Sequence, residues 1–254
     1  MRESAENSGG KLVAVWGSPN SGKTCLSVKL AQSLSERGRS VLLLLSGRTT
    51  PMLPCLCAPE ELSNKRSLGS ALAAPIITPA LLRFNLIRYA GDANLSILAL
   101  LKGETAGSYP QPGETQVTGM MTALRQLADH TVIDCGCDLA TDALSRLAIS
   151  QADLSLRLVC PEMRAVSFLA SQLPLAEEIV GRQYTILSKI NEDSGSIKAA
   201  IFDDHDFELP YCRELAQLYA HGELLQPLES KASRAYLRKL VRCREEILQE
   251  EISS

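Results

Sequence analysis

The chain of 254 residues has few aromatic residues, few histidines and no long hydrophobic run. Aromatic residues make up 4% of the sequence, and there are three histidines. No apolar run approaches the roughly 20 residues that span a bilayer, and residues 41–45 are among the longest. The first ten residues are polar and contain no hydrophobic signal core. These absences predict a cytoplasmic protein that has no transmembrane segment and is not exported.

Neither sign of charge dominates the composition. The 26 Lys and Arg residues and 29 Asp and Glu residues give a formal net charge of −3, which provides no overall attraction to nucleic acid. The hydrophobic content of 45% and charged content of 22% are ordinary for a globular protein. The length suffices for one large α/β domain or at most two small ones.

The eight cysteines do not have the spacing of a metal site. They include two C-x-C pairs, Cys55 with Cys57 and Cys135 with Cys137, and the other four are scattered. Zinc sites usually combine a C-x₂₋₄-C pair with a second such pair or with histidines. Neither combination occurs, so we expect reduced cysteines that act as small apolar residues in a cytosolic protein.

The sequence does contain a phosphate-binding pattern. Residues 17–24, GSPNSGKT, fit G-x-x-x-x-G-K-[ST]. The apolar run at 12–16 before it is typical of a buried strand, and leucines recurring every four residues after it predict a helix over 22–37. The backbone N–H groups of the loop would hold a triphosphate at the positive end of the helix dipole. The predicted nucleotide-binding residues are Gly17, Ser18, Pro19, Asn20, Ser21, Gly22, Lys23, Thr24 and Cys25.

Three side chains have predicted chemical roles. Lys23 would contact the β- and γ-phosphates, and the Thr24 hydroxyl would complete the coordination shell of Mg²⁺. The predicted strand 131–134 ends on Asp134, and an acid in that position downstream of a phosphate loop is typical of the residue that holds Mg²⁺ through its hydration shell. The alternative is an N-cap or turn aspartate, because Asp commonly follows a strand. We therefore predict ATP and Mg²⁺ as cofactors, Lys23 and Asp134 as catalytic residues, and Thr24 and Asp134 as metal ligands.

The alternation of apolar strands and helical patterns predicts an α/β fold with a doubly wound, mostly parallel sheet and helices on both faces. A strand at 41–45 after the helix 22–37 forms a right-handed strand–helix–strand unit of the Rossmann-like, P-loop type. Further strands are predicted at 94–100, 131–134, 153–159, 184–187, 198–202 and 207–209, and helices at 68–73, 78–89, 114–128, 140–150 and 163–180. We expect residues 1–10 to be a flexible lead-in and residues 11–254 to form a single domain.

With its elements in this order, the chain resembles the ParA/MinD group of deviant P-loop ATPases, and within it the CpaE- or TadZ-like branch that localises pili. The resemblance spans roughly residues 11–245 and rests on VAVWG and GKT in the first strand and loop, VIDCG at 132–136, QAD at 151–153, LVCPE at 158–162, and LPY at 209–211 with Gly222. It implies ATP binding, a homodimer, and positioning of a pilus or secretion apparatus. In that family the proline of the late L/I-P segment lies beside the adenine, which corresponds to Pro210. An ordinary strand-ending proline is the alternative.

Two positions depart from the family pattern. The family's signature lysine, which reaches the partner's nucleotide across the dimer, is replaced by Ser18. The family's aspartate after the second strand, which helps to position the attacking water, has no counterpart in residues 45–48. We expect ATP binding to be retained and hydrolysis to be weak or absent, unless Arg48 folds back over the γ-phosphate and compensates.

Residues 231–249 predict an amphipathic C-terminal helix. At about 100° per residue, its basic side chains fall within an arc of about 80°, and its apolar ones lie opposite. The basic set is Lys231, Arg234, Arg238 and Arg242, and the apolar set is Tyr236, Leu240, Cys243 and Ile247. The helix either packs on the domain with a solvated basic side or offers a docking surface for DNA or an acidic protein. A DNA-partitioning ATPase and a nucleotide-gated scaffold without turnover therefore stay open as alternative functions.

Overall fold

A computed structural model describes residues 9–62, 66–176, 181–190 and 204–249. One eight-stranded sheet has the order β3-β4-β2-β5-β1-β6-β7-β8. Its strands are β1 Lys11–Gly17, β2 Val41–Leu45, β3 Ile87–Arg88, β4 Leu95–Leu98, β5 His130–Asp134, β6 Leu154–Val159, β7 Arg182–Ile190 and β8 Phe207–Pro210. Neighbouring strands are parallel, except for the antiparallel pair β3 and β4. The predicted doubly wound, mostly parallel α/β sheet is confirmed.

Helices cover both faces of this sheet. They are α1 Lys23–Ser35, α2 Leu68–Leu72, α3 Pro79–Asn85, α4 Glu114–Leu124, α5 Ala143–Gln151, α6 Met163–Gln172, α7 Arg213–His221 and α8 Arg234–Gln249. The side chains of β1 alternate between the two cores, as a period of two requires. Val13 and Val15 pack in one core with α1, α7 and α8, and Leu12 and Trp16 pack in the other with α2 to α5. The central strands are therefore buried on both faces, which explains their continuous apolar sequences.

Several predicted elements have different bounds in the structure, and two helices illustrate the reasons. The helix predicted over 78–89 ends at Asn85, because Ile87 and Arg88 pair with β4 and extend the sheet at its edge. The helix predicted over 163–180 gives way to a 3₁₀ turn at Leu173–Leu175, where Pro174 has no N–H to continue it. The structure also contains α7, which was not predicted. The strand predicted at 198–202 and residues 1–8 of the predicted lead-in lie outside the described residues.

The C-terminal helix is packed on the domain. A 3₁₀ turn at Lys231–Ser233 leads into α8, which lies against α1 and β8. The buried side chains of the helix include the predicted apolar set Tyr236, Leu240, Cys243 and Ile247. Arg244, which was not predicted to matter, is also buried and donates to Ser33 Oγ of α1 (3.0 Å). The predicted basic set, Lys231, Arg234, Arg238 and Arg242, is exposed.

The eight cysteines are free thiols. Burial raises the pKa of Cys57 and of Cys243 to about 11, so both thiols stay protonated at neutral pH. Within the described ranges, no three His, Cys, Asp or Glu side chains are arranged to hold a metal ion. None of the helices described here is long and apolar enough to cross a membrane.

Candidate nucleotide site

The phosphate loop joins β1 to α1 at the carboxyl edge of the sheet. Gly17 has φ 134°, and a Cβ atom there would lie 1.9 Å from the carbonyl oxygen of Leu158 in β6. Gly22 has φ 91°, in the left-handed region that favours glycine, directly before α1 begins. The N-cap residue of α1, Gly22, has no side chain, no other side chain of the described residues caps the helix, and its first turn contains no acid. The N–H groups of that turn are therefore left for an anionic ligand.

Two hydroxyl groups in the loop lack partners. Ser18 Oγ and Ser21 Oγ are buried, and neither has a hydrogen-bond partner in the described part of the chain. A buried polar group without a partner costs about 1–3 kcal/mol. A ligand that carries several acceptor oxygens, such as a triphosphate, would satisfy such groups. Together with the uncapped helix, these hydroxyls show that the loop fits a phosphate group.

Lys23 lies across the loop and is almost fully buried, with 8% of its surface exposed. Its Nζ donates to the carbonyl oxygen of Ser18 (3.1 Å) and lies 3.1 Å from Cys137 Sγ, in the segment that follows β5. Lys23 thus connects the loop to the end of β5. The contact between Lys23 and Cys137 was not predicted, because a C-x-C spacing gives no signal for a lysine contact.

The predicted metal ligands are adjacent. Thr24 Oγ1 donates to Asp134 Oδ2 (2.6 Å), and Ser27 Oγ lies 3.4 Å from Asp134 Oδ1. Burial raises the pKa of the Asp134 carboxyl to about 6, against the opposing effects of the Thr24 hydrogen bond and the Lys23 charge. Hydroxyl and carboxylate oxygens are ligands that Mg²⁺ prefers. The N-cap of the following helix, α5, is Asp142, so Asp134 is not the N-cap residue.

The segment after β2 makes polar contacts that do not involve the phosphate loop. Ser46 Oγ donates to the carbonyl oxygen of Asp134 (2.9 Å). Arg48 is 8% exposed, and its guanidinium donates to the carbonyl oxygen of Ala106 (3.1 Å) and to the side chain of Gln111. Arg48 is therefore held by the segment 106–111, and in this structure it does not fold back onto the loop.

A cleft opens beside the loop, next to the end of β8. Gly22 and Cys25 line it from the side of α1, and Pro210 and Tyr211 line it from the side of β8. The remaining lining residues are Ser21, Leu158, Ser188, Lys189, Leu209, Cys212, Leu215, Ala216 and Tyr236. Cys25 and Pro210 are the two predicted nucleotide-binding residues outside the loop pattern 17–24. The structure places both of them in one cleft beside the phosphate loop.

The end of β7 also contacts the loop, a contact that was not predicted. Ser188 Oγ donates to the carbonyl oxygen of Ser21 (2.7 Å), and Lys189 Nζ donates to that of Asn20. The two donors lie 167 and 169 positions after their acceptors in the sequence. No spacing rule links residues so far apart.

Solved structures of other proteins share this fold. The cell division ATPase MinD of Pyrococcus furiosus superposes with a TM-score of 0.71 at 19% identity, covering 94% of this chain and 99% of that one. MinD of Pyrococcus horikoshii, complexed with Mg-ADP, gives 0.70 at 18% identity, with 92% and 95% covered. An aspartate-to-alanine variant of Cyanothece McdA, in complex with ATP, gives 0.69 at 18% identity, with 95% and 97% covered. No family model matches the chain, and no curated protein matches its sequence. The chain has the fold of the MinD/ParA-type P-loop ATPases.

Proposed function

We propose that this protein binds ATP with Mg²⁺ in the cytoplasm and that its ATP-bound form positions or assembles a pilus or secretion apparatus. The observation that carries the binding of ATP and Mg²⁺ is the hydrogen bond between Thr24 and Asp134 beside the uncapped N-terminus of α1. Structures with the same fold support it, because they include MinD with Mg-ADP and McdA with ATP. The CpaE- or TadZ-like assignment, and with it the kind of apparatus, rests on the sequence resemblance alone.

In this proposal each group of the site has a defined role. The loop 17–22 and the first turn of α1 donate N–H groups to the phosphates, and Lys23 exchanges its bond to the Ser18 carbonyl for phosphate oxygens. Thr24 and Asp134 would hold Mg²⁺, which would neutralise phosphate charge when bound. Cys25 and Pro210 border the base in the adjoining cleft.

We further propose that the binding of ATP, rather than its fast hydrolysis, switches this protein between its functional states. Ser18 is neutral and buried, so it cannot supply a charge to the nucleotide of a second copy. Ser46 is bonded to Asp134, and Arg48 to the segment 106–111. Two ATP-bound copies would form the homodimer that the resemblance implies. A nucleotide-gated scaffold without turnover is the limiting case of this proposal.

The magnesium site can be tested through the effect of Mg²⁺ on ATP affinity. We expect Mg²⁺ to tighten ATP binding to the wild type, and we expect Thr24→Val and Asp134→Asn to reduce this gain. For Asp134→Asn the reduction should be about 10- to 100-fold, the usual effect of losing a residue that holds the ligands of a metal in place. Thr122→Val is the matched control, because Thr122 is exposed on α4 and donates to the Thr118 carbonyl of its own helix. Calorimetry with and without Mg²⁺ measures the gain. If both site variants keep the wild-type gain, the proposed metal ligands are wrong.

A second function, DNA partitioning, is favoured by one observation, the exposed basic side of α8. If this side binds DNA, the triple variant Arg234→Glu, Arg238→Glu and Arg242→Glu should fold and bind ATP normally, because these side chains are exposed. Its DNA affinity should depend less on salt, with the log–log slope smaller by about three, or about one for each lost contact. The same approach tests an acidic protein partner.

The control for this experiment reverses three exposed basic residues elsewhere, Arg83, Lys102 and Arg164, which changes the net charge equally. Filter binding at several salt concentrations measures the slope. If both triple variants lost the same amount of DNA affinity and salt dependence, only the overall charge of the protein would matter for DNA binding. Unfolding of the α8 variant would mean that the basic side has a structural role.

A further inference from the structure

Two residues in the described part of the chain have an unusual backbone conformation, and a hydrogen bond joins them. Asn20 (φ 60°) and Lys189 (φ 57°) are the non-glycine residues with positive φ there, and Lys189 Nζ donates to the carbonyl oxygen of Asn20. The left-handed region is unfavourable for residues with a side chain. Asn tolerates it better than most residues, so the conformation is more unusual for Lys189 than for Asn20. Such conformations persist where the surroundings enforce them, and they cluster at ligand clamps.

The pairing of β7 with β8 explains the conformation of Lys189. The two strands are in register at Leu187 and again at Ile190, which pairs with Pro210, and the register shifts between these positions. Lys189 lies at this irregularity and is exposed, although its neighbour Ser188 is buried. Ser188 donates to the carbonyl of Ser21 while Lys189 donates to that of Asn20, so consecutive residues of β7 fix consecutive residues of the loop.

The stem of Lys189 lies at the cleft beside the loop. Its Cε would be 4.0 Å from a Cβ atom on Gly22, the last residue before α1. Lys189 lines this cleft together with Cys25 and Pro210. Lysine stems are apolar and can cover a flat apolar group while the ammonium bonds elsewhere. Here the ammonium is anchored on the loop, so the stem is held at the mouth of the cleft.

We propose that Lys189 is a nucleotide-binding residue whose methylene stem covers the base in the cleft next to Pro210, while its ammonium fixes the phosphate loop. This inference rests on the proposed function, because it takes the cleft to be the base site. It differs from a purely structural role in one respect: the contribution of Lys189 depends on the presence of a base. A ligand that has phosphates and no base separates the two roles.

The test compares Mg-ATP with magnesium tripolyphosphate, which lacks the base, for the wild type and for Lys189→Gly and Lys189→Arg. Glycine accepts the positive φ and removes both stem and ammonium, and arginine keeps an apolar stem and a charge. We expect Lys189→Gly to weaken ATP binding about tenfold more than tripolyphosphate binding, the equivalent of uncovering roughly two methylene groups. Lys189→Arg should stay within about threefold of the wild type for both ligands.

The control is Arg182→Gly, an exposed basic residue at the other end of the same strand, which should leave both affinities unchanged. Melting curves without ligand check that each variant folds, and Lys189→Asn replaces the glycine variant if that one does not. Equal weakening for both ligands, or no weakening, overturns the inference and leaves the proposed function standing. A folded wild type that binds neither ligand would instead contradict the proposed function itself.

Discussion

Millimolar ATP with Mg²⁺ should raise the melting temperature of this protein by roughly 5–10 °C, and Lys23→Ala should remove most of that rise. A ligand at a hundred times its dissociation constant stabilises the folded state by about 2.7 kcal/mol. For a domain of this size, each kcal/mol corresponds to about 2–4 °C. Lys23 is the buried cation of the loop, so its loss removes the strongest attraction for the phosphates. Thermal melts with and without ligand measure both values.

The comparison needs each variant's own melting temperature without ligand, because Lys23 also bonds to Ser18 and contacts Cys137. Lys29→Met is the matched control on the same helix. Lys29 is also buried, but it bonds to the carbonyl oxygen of Gln226 (2.5 Å), and burial lowers its pKa to about 8. Lys29→Met should change the melting temperature without ligand and preserve the increase that ATP causes. A wild type without any rise, or a Lys23→Ala variant with the full rise, would refute ATP binding at this loop.

The isolated protein should hydrolyse ATP more slowly than about one turnover per minute, whereas the kcat of enzymes is commonly 1–10³ s⁻¹. Hydrolysis of ATP relies on positioning of the water and on neutralising the charge of the transferred phosphoryl group, and a supplied arginine is worth 10³–10⁵ in rate. Ser18 cannot supply charge, and the segment after β2 contains no acid to orient the water. Asp134 and Thr24 remain to hold the metal, so binding and hydrolysis should separate.

A single-turnover assay with labelled ATP tests this expectation, and Lys23→Ala gives the background rate. Arg48→Ala should leave the slow rate unchanged, because Arg48 is bonded to Ala106 and Gln111. Turnover near one per minute or faster that disappears in Lys23→Ala would show that the missing lysine and aspartate are not needed. If Arg48→Ala also abolished it, Arg48 would be the compensating residue.

The sequence alone predicted the local parts of this protein. The strand β1, the loop and α1 were recognisable because their determinants lie within a few positions: β-branched residues, two glycines with unusual φ values, and leucines one helical turn apart. The apolar strands in the middle of the sheet were visible for the same reason. β3 was not visible, because it has only two residues. α7 does carry apolar residues at helical spacing, Leu215, Leu218 and Tyr219, so its signal was present in the sequence and the helix was missed.

The tertiary structure decided which distant residues meet. The pairing of β1 with β5 sets Asp134 opposite Val15, which brings the carboxylate to Thr24 across 110 positions of sequence. The order of β6, β7 and β8, with the irregularity at Lys189, brings a lysine to Asn20 across 169 positions. Local sequence specifies the period and ends of an element through backbone geometry and burial. It does not specify strand order, because that depends on how all the apolar faces are buried together.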